Sequence, residues 1–206
     1  MEEPEVTKMK ANKDNRDYVM NAVKQRGKLL EFASDEFKDD EAVVKEALKN
    51  DGEALEFASN RLKANKEIVL LAISSAPWTA CYASEKLKNN KEVILASVKN
   101  YGQTLYFASQ KLRDDKEVVK AAVSNKGRIL KYASKRLRDD KEIAKIAIAQ
   151  DKVAYRFISE RLKNDEELKI WLEFYGQIIR LTSAKIINIV NTRLKQIKKF
   201  VKEFEV

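Results

Sequence analysis

Enzymes hold their nucleophiles, proton carriers and metal ligands in a single constellation, whereas this chain carries its reactive residue types in series. Serine recurs at Ser34, Ser59, Ser84, Ser109, Ser134 and Ser159, always at the same 25-residue interval. Histidine is absent and Cys81 is the single cysteine. The sequence therefore offers no Ser-His-Asp or Cys-His pair and none of the usual zinc-ligand sets. It also lacks a Gly-rich phosphate loop. A nucleophile is needed once, so six equivalent serines read as packing residues, each hydroxyl bonded back to a carbonyl one turn earlier. The pairs Asp39-Asp40, Asp114-Asp115 and Asp139-Asp140 have the look of cation ligands. Their place just before a helix favours capping of free backbone N–H groups instead. The expectation is a protein that is not an enzyme, with no catalytic residue, no metal and no cofactor.

Residues suited to binding remain. A basic ladder recurs with the same period: Arg61 and Lys63, Lys86 and Lys88, Lys111 and Arg113, Arg136 and Arg138, Arg161 and Lys163. Stacked units would align it into a stripe able to follow a phosphate backbone. The plainer reading is a set of cations near helix C-termini, where the macrodipole favours them. A second candidate is Trp78, in a stretch from Leu70 to Ser84 that carries no charge. The equivalent places elsewhere hold Lys28, Glu53, Gln103 and Arg128, which are polar and mark the position as exposed. An exposed Trp is a binding anchor, and Tyr101 and Tyr106 would extend the patch. Otherwise Trp78 is a packing variant lying over Cys81 or the turn.

The elements that position these residues follow from the repeat. Phe32-Ala33-Ser34 returns as Phe57-Ala58-Ser59, Tyr82-Ala83-Ser84, Phe107-Ala108-Ser109, Tyr132-Ala133-Ser134 and, decayed, Phe157-Ile158-Ser159. A fixed period without insertions is the mark of stacked units. In residues 116–140, Asp114 or Asp115 caps a helix, with Glu117 placed for a capping box. Val118, Val119, Ala122 and Val123 then form one apolar stripe. Gly127 ends that helix in a left-handed conformation. A second helix follows, burying Ile129, Leu130, Ala133 and Leu137. Helices this short are not stable alone and must stack on their neighbours.

The expected fold is all-α: an α-solenoid, or superhelical array, of six 25-residue helix-turn-helix repeats over residues 16–165. Residues 1–15 are expected to form a flexible N-terminal segment. Residues 166–206 are expected to form a degenerate repeat and a long capping helix, the latter from about 177 to 204, on the 3-4 spacing of Ile187, Val190, Leu194, Ile197, Val201 and Phe204. That helix would cover the apolar end of the array, or pair in a dimer, or lie on a membrane surface through Lys195, Lys198, Lys199 and Lys202.

The phrases Leu112-Arg113-Asp114-Asp115-Lys116-Glu117-Val118 and Gly102-Gln103-Thr104-Leu105-Tyr106-Phe107-Ala108-Ser109 resemble those of domain-of-unknown-function family 4116. The resemblance covers about residues 16–165. It implies a run of α-hairpins and transfers no catalytic residue.

Composition sets the outer bounds. The 206 residues are 44% hydrophobic and 35% charged, with five Gly and two Pro, which suits helices in a thin array with much surface. The net charge is +9, and residues 184–206 hold six Lys and Arg against two Glu. One cysteine allows no internal disulfide and fits a reducing compartment. The start is acidic and polar rather than a secretory signal. No stretch approaches the roughly 20 apolar residues of a membrane span. These features point to a cytoplasmic protein, although a signal-less exported effector would share them. The leading expectation is a helical-repeat scaffold for protein–protein interaction, acting as a monomer or as a dimer through the C-terminal helix. The alternative is a nucleic-acid binder that uses the basic ladder.

Overall fold

The computed structural model describes residues 3–175, and the long helix expected over 177–204 lies outside them. Among the described residues the regular structure is all helical. The chain divides into two compact units, Met1–Ser159 and Glu160–Val206.

In the first unit each 25-residue period folds as a long helix, a 3-10 helix and a short helix. Repeat 2 (residues 41–65) shows the pattern. Its long helix Glu41–Asn50 starts where Asp40 accepts hydrogen bonds from the N–H groups of Ala42 (2.8 Å) and Val43 (3.2 Å). Val43, Val44, Ala47 and Leu48 fill its buried stripe. The 3-10 helix Gly52–Phe57 buries Ala54 and Leu55. The short helix Asn60–Lys63 contributes Leu62, which is fully buried. A fully buried leucine contributes about 1.5–3 kcal/mol, and Phe37, Leu87, Leu112 and Leu137 stand buried at the equivalent place.

The expected second helix is therefore two elements, broken at the Ala-Ser of the repeated triplet. Ala58 (φ −66°, ψ 156°) and Ser59 (φ −61°, ψ 159°) are extended. The serine N-caps the short helix, Ser59 Oγ accepting from Leu62 N at 3.2 Å. The expected bond from the serine hydroxyl to a carbonyl one turn earlier is replaced by this cap, because residues 58–59 are not helical. The serine N–H meanwhile reaches the preceding repeat, donating to the carbonyl of its last short-helix residue. Ser59 bonds Lys38 O (2.9 Å), Ser84 bonds Lys63 O (3.0 Å), Ser109 bonds Lys88 O (3.1 Å) and Ser134 bonds Arg113 O (3.0 Å).

The glycine also has a different purpose from the one expected. No glycine among the described residues has a positive φ. A Cβ on Gly102 would instead lie 2.6 Å from the Ala122 carbonyl oxygen of the next repeat, and one on Gly52 would lie 2.5 Å from that of Ala72. Glycine is required by close approach between repeats. At Gly27 and Gly102 the N–H also donates to Asn50 Oδ1 and Asn125 Oδ1, at 2.8 Å each. Asn125 Nδ2 in turn donates to the carbonyls of Lys99 (3.3 Å) and Asn100 (3.2 Å), satisfying the end of the preceding long helix. Repeat 3 (residues 66–90) replaces this glycine by Pro77, which has no N–H and starts its 3-10 helix. The facing alanine becomes Ser97, whose hydroxyl donates to Pro77 O at 2.6 Å.

Contacts between long helices, and between 3-10 helices, join successive repeats through the first unit. Residues 1–15, expected to be flexible, contain the helix Pro4–Ala11, with Val6 and Met9 buried and the helix packed on the first 3-10 helix Gly27–Phe32. In the second unit Glu160–Lys163 and residues 166–175 are helical. No described helix is long and apolar enough to cross a membrane.

Candidate functional site

Two surfaces recur along the first unit. One is the seam at the short helices, which the repeated serine builds. In repeat 2 the Ser59 hydroxyl donates to Asp39 of the preceding repeat, and Arg61 Nε donates to the same carboxylate at 3.0 and 3.1 Å. Repeat 5 (residues 116–140) repeats this with Ser134, Arg136 and Asp114, whose Arg136 Nε bonds are 3.0 and 3.3 Å. Ser159 donates to Asp139 in the same manner. Hydrogen bonds from the serine and then the arginine hold the Asp39 carboxyl below its ordinary range, and Asp114 is lowered chiefly by Ser134. The members of each Asp pair thus divide the work. The first takes the serine and the second caps the long helix, Asp115 accepting from Glu117 N (3.0 Å) and Val118 N (3.1 Å). With Asp115 as the cap, Glu117 falls one place short of a capping box. It pairs instead with Lys91 of the preceding repeat at 2.8 Å.

This seam accounts for much of the basic ladder. Arg61 and Arg136 are its clasps. Lys63 Nζ donates to the Glu56 carbonyl (2.6 Å), Arg113 Nε donates to the Ala108 carbonyl (2.9 Å) and Lys88 pairs with Glu85 (2.9 Å). Arg138 Nε is buried without a partner. In the second unit Lys163 pairs with Glu160 at 2.6 Å, while Arg161 is exposed. Lys86 and Lys111 are exposed. Lys111, Arg113, Lys135 and Arg136 come together around an open groove of about 740 Å³ that Asp114, Ser134 and Tyr132 also line.

The other surface lies along the 3-10 helices, and here the repeats differ. Trp78 is 41% exposed, so it is no core residue. Its Nε1 donates to Glu53 Oε1 of the preceding repeat at 2.9 Å. Its ring meets Tyr101 of the next repeat edge-on, with centroids 6.2 Å apart. Tyr106, 51% exposed, packs against Phe107 (5.0 Å) and against Tyr132 of repeat 5 (4.9 Å). Tyr101, Tyr106, Phe107 and Tyr132 line one shallow groove with Lys126, Arg128 and Lys131. Lys131 lies over the Tyr132 ring, 4.7 Å from its centroid. The three residues proposed from sequence thus fall on one strip, and Phe107 and Tyr132 of the repeated triplet join them.

Its charge changes sign along its length. The positions one before, one after and four after the Gly or Pro step, exposed or half-buried except at the buried Ala76, hold Asp51, Glu53 and Glu56 in repeat 2. They hold Ala76, Trp78 and Cys81 in repeat 3, and Tyr101, Gln103 and Tyr106 in repeat 4 (residues 91–115). In repeat 5 they hold Lys126, Arg128 and Lys131. Over repeats 2 to 5 an acidic, an aromatic and a basic stretch follow one another, flanked by Arg26, Lys28 and Glu31 in repeat 1 and by Asp151, Val153 and Arg156 in repeat 6. Glu56 accepts the Tyr82 hydroxyl at 2.9 Å, and burial together with this carboxylate pushes Tyr82 up to about 12. Glu53 is held below its ordinary range chiefly by Lys28, with Trp78 adding to the effect against its partial burial. Cys81 is half-buried, and burial raises its thiol pKa. That is the reverse of what a reactive thiolate needs. Among the described residues no group of acidic, His or Cys side chains is placed to hold a metal ion.

The acidic and basic ends escaped the sequence reading because charge was weighed over the whole array. The signal was present in column form. Residues 116–140 hold eight Lys and Arg against three Asp and Glu, whereas residues 41–65 hold four against five.

A tandem of helical units, clasped at one seam and varied along one exposed strip, defines a helical-repeat protein. The model of the family described as "Domain of unknown function (DUF4116)" matches residues 15–63, 65–113, 90–138, 115–163 and 140–170. The chain belongs to this family. Four of the matches span close to two periods, and all five begin at the residue that caps a long helix, Asn15, Asn65, Asn90, Asp115 and Asp140. The family pattern is therefore a pair of neighbouring units, the smallest piece that contains a whole seam. No curated protein and no solved structure matches the chain.

Proposed function

We propose that the chain is a non-enzymatic scaffold that binds protein through the strip of its 3-10 helices. The observation that carries this reading is the aromatic run Trp78, Tyr101, Tyr106 and Phe107, in which Tyr101 is half-buried and the other three are exposed, set between an acidic and a basic stretch. Exposed Trp and Tyr are the residues that dominate protein interfaces, because they bury large area at small entropy cost. A polypeptide can match acidic, aromatic and basic patches in turn. A nucleic acid presents one sign of charge, and Asp51, Glu53 and Glu56 would repel it. Selection of displayed random peptides on the wild-type protein should enrich sequences that lose binding to a variant with Trp78→Ala and Tyr106→Ser. Enrichment that ignores these substitutions would remove the strip from consideration.

A second reading rests on the groove lined by Lys111, Arg113, Lys135 and Arg136, which would accept phosphates. Fluorescence anisotropy with labelled single-stranded and duplex DNA and with RNA, across a range of salt, tests it. Tight binding at low salt with a steep salt slope, abolished by charge reversal at these four residues, is the outcome it requires. Absence of binding at the lowest salt discards it.

A further inference from the structure

The strip is complementary to itself. Under a two-fold rotation about a point between repeats 3 and 4, the acidic positions of repeat 2 meet the basic positions of repeat 5, and the aromatic positions of repeats 3 and 4 meet each other. The side chains are continuous enough to act as one surface. Glu53 is bonded to Trp78, Trp78 meets Tyr101, and Tyr101 lines the same groove as Lys126, Arg128 and Lys131. At the outer repeats Arg26 is held by Glu3, while Lys28 and Asp151 pair with Glu53 and Arg128 within the strip, so the match is carried chiefly by Glu56, Lys126 and Lys131. Building on the protein-binding reading, we infer that the occupant of this strip is a second copy of the chain, docked antiparallel as a two-fold dimer.

The arrangement meets the requirement of such an interface, that each position and its counterpart on the other copy attract both ways. Parallel stacking of the strips would set Glu53 and Glu56 against Glu53 and Glu56, and Lys126 and Lys131 against themselves. Like charges in register are costly, so the charge pattern selects the antiparallel register. The exposed rings at the centre supply the apolar area, and the charged ends supply orientation and speed of encounter.

The test is a charge swap in the full chain, read by sedimentation equilibrium from micromolar to submillimolar concentration. The wild type should dimerise, more weakly as salt rises. Glu53→Lys with Glu56→Lys makes both ends basic, and Lys126→Glu with Lys131→Glu makes both ends acidic. Each double variant alone should self-associate at least ~100-fold more weakly than wild type. Their equimolar mixture should form a heterodimer of near wild-type affinity, which also shows that both variants are folded. A monomeric wild type over the whole range overturns the inference. So does a dimer that ignores the swap, which would assign assembly to another surface. The peptide selection separates the two claims: a monomer that still selects peptides through Trp78 and Tyr106 loses the dimer and keeps the scaffold, and one that selects none loses both.

Discussion

The seam and the strip run along the same repeats, yet they keep different things constant. At the seam, serine stands in all six repeats, with an Asp or Asn of the preceding repeat beside it wherever the hydrogen bond from its hydroxyl forms. Along the strip nothing polar is constant: one column reads Lys28, Glu53, Trp78, Gln103, Arg128 and Val153. Constancy within a single chain marks what every junction needs in order to stack, because stability in such arrays comes from nearest-neighbour interfaces. Variation marks positions released from that demand and open to recognition. The repeated residues that draw the eye first are therefore structural, and the departures from the repeat are where the proposed binding surface lies.

The sharpest way to break the stacking that the seam serves is to fill the space between two repeats. Gly102→Ala puts a methyl 2.6 Å from a backbone carbonyl oxygen of the next repeat and 3.1 Å from Asn125 Oδ1. Neither the 3-10 helix Gly102–Tyr106 nor the long helix Lys116–Asn125 can yield without disturbing its own buried residues, so the expected loss is about 2–4 kcal/mol. Urea unfolding of the variant measures it. A loss below that of an ordinary surface change would mean that the junction is loose.

Acid should loosen all the junctions together. Asp39, Asp40, Asp114, Asp115, Asp140 and Asp151 all have lowered folded pKa values, although burial alone would raise those of Asp115 and Asp140 and is outweighed by Lys91 and Lys116. A carboxylate lowered on folding contributes stability above its unfolded value of about 3.9, and that contribution is lost as pH falls through the folded value. Lacking histidine, the chain has no side chain that ordinarily titrates between pH 5 and 8. Thermal melts should accordingly give a constant Tm from pH 8 to 5 and a steep fall below about pH 4. A step near pH 6.5 would contradict the assignment of acid sensitivity to these aspartates.

The serines allow a finer comparison. Ser134→Ala removes a cap and a bond to Asp114, and should lower stability by about 1–2 kcal/mol. Ser34 Oγ is buried without a partner, and Glu36 stands where Arg61 and Arg136 stand in their repeats. Ser34→Ala should be neutral or slightly stabilising, since it removes an unsatisfied group. Equal losses at both sites would show that the serine matters for its backbone conformation rather than its hydroxyl.

Much of this was open to the sequence, and the failures were physical rather than statistical. The 25-residue period, the long-helix stripes and the capping Asp were legible because they are local. The break at Ala-Ser was not, since Phe-Ala-Ser reads as helix by spacing, and the bonds that pull Ser59 out of a helix come from Lys38 and Asp39 in the preceding repeat. Glycine misled for a related reason. Its usual service is a left-handed turn, while here it admits a neighbour's carbonyl. Trp78 could be proposed because its column was polar elsewhere. The acidic and basic ends of the same column were in view and were averaged away.

The smallest expected loss of stability falls on the strip and separates it most cleanly from the seam. Trp78→Ala removes a ring that is 41% exposed, together with one hydrogen bond to the half-buried Glu53 carboxylate and an edge contact with Tyr101. Neighbouring repeats keep their serine clasps and glycine approaches, so stability should fall by only about 0.5–1 kcal/mol. Binding of selected peptides should fall far more, because a central Trp is worth about 2 kcal/mol or more at an interface. Measuring both quantities on the one variant fixes the comparison. A large loss of Tm with binding intact would transfer Trp78 from the recognition strip to the packing between repeats 2 and 3, and would leave Tyr106 and Phe107 as the aromatic centre.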